Sequence, residues 1–161
     1  MNIRTAVLDD LSAIAEIGAL CYPAEEALTK EEYRERLLAY PHHFWLLEEA
    51  GEIAAFINGP ATNIDHITDE MFHDPTLHQD DGAWQAILGV NTSPRHQKKG
   101  YASRIMQRVI ADAKAQGRKG CVLTCKEELI GYYEKFGFKN RGISPSALAG
   151  EVWYDMALLF L

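Results

Sequence analysis

Between residues 83 and 117 an apolar run of strand type, AWQAILGVN, passes through TSPRHQKKG into a stretch whose apolar residues recur at helical spacing. Ala102, Ile105, Met106, Val109, Ile110 and Ala113 share one face of a helix that Gly117 brings to an end. A strand feeding an amphipathic helix calls for sheet and helix layered on one another. The rest of the chain repeats the alternation. Ile3 to Val7 reads as a strand, and Leu11, Ile14, Ala15 and Ile17 form the stripe of a helix. Thr29, with Glu32 three residues on, starts a second helix that runs to about Tyr40. HFWLLEE and EIAAFING flank Ala50-Gly51 as a hairpin, and GCVLTC, FKNRGI and EVWYDMALLF read as later strands around a short helix, ELIGYYEKF. TNIDHITDEMFHDPTLHQDDG, polar and turn-rich with a helical turn near Asp69 to Phe72, is long enough to be read as a functional loop. The order predicts an α/β (α+β) domain on one mixed sheet with helices on both faces.

At 161 residues, 47% of them hydrophobic, the chain is expected to make one domain spanning 1–161. Lys and Arg total 16 against 23 Asp and Glu, a net charge of −7, which disfavours attraction to nucleic acid or an anionic membrane. No apolar run approaches the roughly 18 residues that cross a bilayer. Three cysteines, Cys21, Cys121 and Cys125, and a start, MNIRTAVLDD, that lacks a basic-then-apolar leader point to a reduced, cytoplasmic protein.

Against that acidic background, residues 94 to 110 hold five Lys or Arg and no carboxylate. They fall where the helix begins, and a helix start exposes unpartnered backbone N–H groups and the positive end of its dipole. Gly100 lacks the Cβ that would keep an anion from the backbone, Ala102 keeps the wall low and Ser103 adds a hydroxyl. Arg95, Lys98 and Lys99 supply counter-charge, so the coincidence favours a phosphate. The nucleotide loops GxxxxGK[ST] and GxGxxG are both absent. What is present is Q-x-x-G-x-A, from Gln97 to Ala102.

That signature resembles the pyrophosphate loop of the GNAT superfamily, the acyl-CoA-dependent N-acetyltransferases. GYYEKFGF, residues 131 to 138, is similar to the family's second landmark, a tyrosine-bearing helix running into a strand. EIAAFINGP, the TDEMFHDPTLH loop and CKEELIGYYEKFGF look most like the serotonin N-acetyltransferase type and its bacterial relatives. The resemblance implies a central, mostly antiparallel sheet of about six or seven strands. It implies acetyl-CoA as cosubstrate, with Leu88, Gly89 and Val90 offering backbone groups to its pantetheine arm and acetyl carbonyl. Gln97, Lys98, Lys99, Gly100, Tyr101, Ala102 and Ser103 would form the pyrophosphate cradle, and Tyr133 the general acid near the sulfur.

The implied reaction is acetyl transfer to a primary amine of a small molecule by direct attack in a ternary complex. Serotonin-type enzymes carry two histidines on the strand before the motif, where this chain has Trp84 and Ala86. An alkylamine is mostly protonated at neutral pH, with a pKa of about 10, so a proton acceptor is needed. Glu26 or Glu25 in CYPAEEA is favoured, because the loop joining the first two helices lines the acceptor site in this fold; Asp80, Asp81 and His78 are further candidates. Six histidines without paired ligand spacing predict no metal. Cys121 and Cys125, four apart on a strand, read as small core residues, with a covalent route through Cys125 as the minor alternative. Trp45, Trp84 and Trp153 are expected in the core. Other readings are a non-catalytic acyl-CoA-binding module and an acetyltransferase of protein or peptide amines. A homodimer is compatible with the pattern; a nucleic-acid patch from Arg95 to Arg108 conflicts with the net charge.

Overall fold

The structure is a computed structural model that describes residues 1–161. Its elements are β1 (Asn2–Thr5), α1 (Leu11–Cys21), α2 (Lys30–Ala39), β2 (Phe44–Glu49), β3 (Glu52–Asn58), β4 (Ala61–Thr62), α3 (Glu70–His73), β5 (Trp84–Ile87), β6 (Gly89–Thr92), α4 (Tyr101–Ala115), β7 (Gly120–Cys125), α5 (Ile130–Glu134), β8 (Lys139–Ile143) and β9 (Tyr154–Leu159). The chain forms two compact units: Met1–Gly59 with Gly89–Val109, and Pro60–Leu88 with Ile110–Leu161.

The first unit holds a four-stranded antiparallel sheet in the order β1-β2-β3-β6, with α1 packed on β3 and β6. The Thr29 hydroxyl accepts from the Glu32 amide at 3.1 Å and the Glu32 carboxylate accepts from the Thr29 amide at 2.9 Å, the reciprocal cap expected for α2. Ala50 and Gly51, at φ 52° and 80°, supply the left-handed pair that a two-residue hairpin requires. The core joins Ile14 and Ile17 of α1, Tyr33 and Leu37 of α2, and Phe44, Leu46 and Phe56 of the sheet, all buried. Each such side chain contributes about 1.5–3 kcal/mol of burial free energy. A Cβ at Gly18 would sit 2.3 Å from the Tyr33 hydroxyl, so glycine there is what lets α1 and α2 approach.

The second unit holds a five-stranded sheet in the order β4-β5-β7-β9-β8, antiparallel except for the β5–β7 pair. Ile67, Met71, Trp84, Ala86, Val122 and Ala157 pack together on it. The polar 63–82 segment is tied down. The Asp69 carboxylate accepts from the Ser146 hydroxyl at 2.5 Å and the Ala147 amide at 3.2 Å, and the Asp65 carbonyl accepts from Arg141 at 3.1 Å.

The predicted α+β class holds, while the strands number nine in two sheets instead of six or seven in one. Two local breaks account for this. Pro60 has no N–H to continue the β3 ladder, and Leu88 joins neither of its neighbours' ladders, so the expected strand 83–91 is two strands paired to different partners. Trp45 and Trp84 are core residues as expected. Trp153 instead precedes β9, half-buried, with its indole N–H donating to the Leu148 carbonyl at 2.8 Å. No helix is long and apolar enough to cross a membrane.

Candidate active site

The amide of Ser93 donates to the Ala54 carbonyl at 2.8 Å, which makes Ala54 and Ser93 a hydrogen-bonded pair of the β3–β6 ladder. Antiparallel alternation then turns the backbone groups of Asn91 and Gly89 toward β3, and those of Val90 and Thr92 to the other side. β6 is the last strand of its sheet, so those groups have no partner in the ladder. The end of α1 reaches the same edge: the Tyr22 hydroxyl donates to the Val90 carbonyl at 3.4 Å and the Cys21 thiol to the Thr92 carbonyl at 3.1 Å. Burial pushes the Tyr22 phenol up to about 12, so it stays a donor across the neutral range.

Gly89 faces a crowded polar floor. A Cβ there would lie 2.9 Å from the Asn58 amide nitrogen and 3.2 Å from that of Asn91. Asn58 accepts from buried Arg36 at 2.9 Å, while the Asn91 amide is buried with neither its oxygen nor its nitrogen paired. Leu88, just before, is half-buried and packs in the second unit's apolar cluster.

Beyond β6, Pro94–His96 makes a tight 3-10 turn, and Lys98 and Gly100 take left-handed φ values of 65° and 77° before α4 begins. No atom lies within 4 Å of where a Gly100 Cβ would stand, so the glycine opens space as well as providing the turn. Gly100 accepts the Arg104 amide at 3.2 Å, which puts Tyr101, Ala102 and Ser103 in the first turn, where intrahelical acceptors run out. Gln97, Lys98, Lys99 and Gly100 are exposed.

Two carboxylates of the β2–β3 hairpin border this loop. Glu52 pairs with Arg95 at 2.9 Å, and Glu49 accepts from the Tyr101 hydroxyl at 2.5 Å with Lys99 at 3.9 Å and His96 at 3.8 Å. The Tyr101 hydrogen bond, aided by Lys99 and His96, holds the Glu49 carboxyl below its ordinary value. Part of the basic stretch is thus balanced locally, which its sequence, free of acids, does not reveal.

In the connection between α1 and α2, Glu25 is exposed and Glu26 half-buried, its amide closing a turn on the Pro23 carbonyl at 2.9 Å. Glu26 is near enough to Tyr22 to help raise the phenol's pKa.

In the second unit, Tyr133 is buried on α5, edge-on to Tyr132 at 5.1 Å and to Phe138 at 6.1 Å. Tyr132 is half-buried. Trp84 and Ala86 lie in the apolar cluster with Ile67 and Met71. His78 accepts the Ala61 amide on Nδ1 at 3.0 Å, leaving Nε2 to donate to Asp80 at 2.5 Å; its lone pair is therefore committed and it is not a ready base. Burial pushes the Cys125 thiol up to about 11 and Cys121 to about 12, which removes the thiolate that a covalent route needs.

One acid escaped the sequence reading. Asp155 is half-buried on β9, with its Oδ1 fully enclosed and unpaired, and burial raises its carboxyl above the ordinary range. A lone acid inside the apolar run VWYDMALLF is the signal that could have found it.

The last strand of the first sheet thus runs through a left-handed glycine turn into the start of α4. The description "Acetyltransferase (GNAT) family" matches residues 11–138, and the chain belongs to that family. It is 34% identical over 97 residues to serotonin N-acetyltransferase of Mesocricetus auratus, a match covering 58% of this chain and 44% of that protein. The chain thus matches less than half the length of that relative. Among solved structures, the loading GNATL domain of CurA from Lyngbya majuscula superposes with a TM-score of 0.85 at 18% identity, covering 98% of this chain and 96% of that one. The GphF GNAT-like decarboxylase in complex with isobutyryl-CoA gives 0.84 at 19% identity, covering 99% of both chains. At these identities the two structures speak for the fold.

Proposed function

We propose that residues 1–161 act as one N-acetyltransferase domain that passes the acetyl group of acetyl-CoA to the primary amine of a small molecule. The observation that carries this reading is the run from the edge of β6, through the left-handed turn at Gly100, into α4. An extended edge suits a pantetheine arm, and the uncrowded turn suits a pyrophosphate.

Val90 supplies backbone groups to the arm and an N–H to the thioester oxygen, with Leu88 and Gly89 shaping the approach. A donor of this kind is worth about 2.7–4 kcal/mol of barrier in enzymes where one has been removed. Gln97, Lys98, Lys99, Gly100, Tyr101, Ala102 and Ser103 hold the phosphates. Acetyl-CoA brings an activated acyl group and a thiolate that can leave. Tyr133 delivers a proton to that thiolate, a role supported by its place in GYYEKFGF and by its burial. Glu26, the less exposed of the pair, takes the proton from the amine, with Glu25 as the neighbouring alternative. The reading needs no metal and places the protein in the cytoplasm, with a homodimer compatible and neither nucleic acid nor membrane as partner.

A second reading, binding of an acyl-CoA without transfer to a small amine, is favoured by the apolar pair Trp84 and Ala86 where serotonin-type enzymes have histidines. Acetyl-CoA titration followed by thiol release with small amines and with peptide amines separates these. Binding with amine-dependent release supports the first reading, release with peptides alone moves the acceptor to protein, and binding with no release supports the second.

A further inference from the structure

The hairpin of β2 and β3 sets two carboxylates side by side. Glu49 stands directly opposite Glu52 in the register, and like charges so placed repel. What faces them is the basic loop before α4. Arg95 pairs with Glu52 at 2.9 Å, the Lys99 ammonium lies 3.9 Å from Glu49, and His96 Nε2 lies 3.8 Å from Glu49 and 4.0 Å from Glu52. Of the three Lys and Arg side chains between residues 95 and 99, Lys98 alone pairs with no carboxylate.

Glu49 is the better anchored of the two acids. Its Oε2 accepts from the Tyr101 hydroxyl at 2.5 Å, and Tyr101 is the buried first residue of α4. Lys99 is held a second time, with its ammonium 5.8 Å from the centre of the Tyr101 ring. The Tyr101 bond foremost, with Lys99 and His96 behind it, favours the ionised carboxyl, so Glu49 carries its charge at neutral pH. The pair is also within reach of solvent, the Glu49 side chain being 36% exposed and that of Lys99 48%.

A phosphate arriving at the Gly100 turn therefore meets a cation that is already paired and an acid that repels it. We infer that Glu49 competes with the phosphates of the cosubstrate for Lys99, an inference that rests on the reading of this turn as a phosphate site. Lys99 has to leave Glu49 to serve the ligand, and the carboxylate stays behind as a fixed negative charge. Acetyl-CoA and free CoA carry the same phosphates, so both are weakened alike. Donor affinity is lowered and product release eased by the one residue.

Calorimetric titration of the full chain with acetyl-CoA and with CoA tests this in Glu49→Gln, which keeps an acceptor for the Tyr101 hydroxyl and removes the charge. Both ligands should bind about three- to tenfold more tightly at low salt. The gain should shrink as salt rises, because exposed charges are screened. S-acetylpantetheine, the same arm without phosphate, should gain nothing. Tyr101→Phe removes the hydrogen bond and keeps the carboxylate, so it should bind acetyl-CoA no more tightly than wild type. Equal or weaker acetyl-CoA binding by Glu49→Gln would overturn the proposal. So would a gain that salt leaves unchanged, or a matching gain in Tyr101→Phe, which would make release of the loop the cause instead of charge. Failure of the phosphate reading is distinct: it shows as acetyl-CoA affinity retained in Gly100→Val, or as no binding by wild type, and takes the proposal with it. Thiol release bears on transfer and leaves this binding result untouched.

Discussion

The Tyr22 hydroxyl, at the end of α1, donates to the Val90 carbonyl 3.4 Å away on the edge of β6. The contact joins the connection that carries Glu26 to the strand proposed to receive the pantetheine arm, so sequence-distant residues meet at one edge. Tyr22→Phe keeps the ring and removes the bond. Neutral hydrogen bonds contribute about 0.5–1.5 kcal/mol, and this long one belongs at the lower end. A loss of about 0.5–1 kcal/mol in urea unfolding is expected, with acetyl-CoA affinity reduced a few-fold at most. An acetyl-CoA affinity reduced by orders of magnitude would show that the Tyr22 hydroxyl contacts the cosubstrate itself.

Gly100→Val should leave a folded protein that no longer binds acetyl-CoA. The space around an added Cβ is empty, so the folding cost comes from φ 77° alone, about 1–3 kcal/mol for a non-glycine residue in that region. Calorimetric titration with a circular-dichroism check of folding measures both sides. Retained affinity would remove the phosphate site from this turn.

Much of this architecture was legible in the chain because it is written locally. Thr29 with Glu32, Ala50 with Gly51, and Gly117 at φ 78° each set an element boundary through their own short-range chemistry. Leu88 was not legible: AWQAILGV is uniformly strand-forming, and the change of partner from β7 to β3 is decided by distant segments. His78 looks like a candidate base until the Ala61 amide, 17 residues away, is found on its Nδ1. Glu49 and Glu52 lie over 40 residues from the cations they balance. Asp155 could be noticed as an acid among apolar residues, but which face it occupies follows only from strand register.

Glu26→Gln should lower turnover at pH 7 much more than at pH 9, because more of the amine is already neutral at the higher pH. A positioned base contributes typically about 10²–10⁴-fold, so the pH 7 deficit should fall in that range. Glu25→Gln is the paired control, expected to be close to wild type given its exposure. If the two glutamines exchange roles the proton goes to Glu25, and if neither variant differs from wild type across the range the connection holds no base.

Tyr133→Phe should reduce turnover while acetyl-CoA affinity stays near wild type, since the ring still packs edge-on to Tyr132 and Phe138. A thiol of pKa about 8.5 can leave without help, so the loss should be partial. With an acyl donor whose thiol is more acidic the deficit should shrink. An equal deficit with both donors would make Tyr133 a positioning residue for the thioester.

The account stands or falls on whether thiol release from acetyl-CoA by the wild-type chain depends on an added primary amine. It predicts release that saturates with amine, matched one for one by N-acetylated product in mass spectrometry, and lost in Gly100→Val. Saturable acetyl-CoA binding with no amine-dependent release across alkyl-, arylalkyl- and polyamines would contradict it.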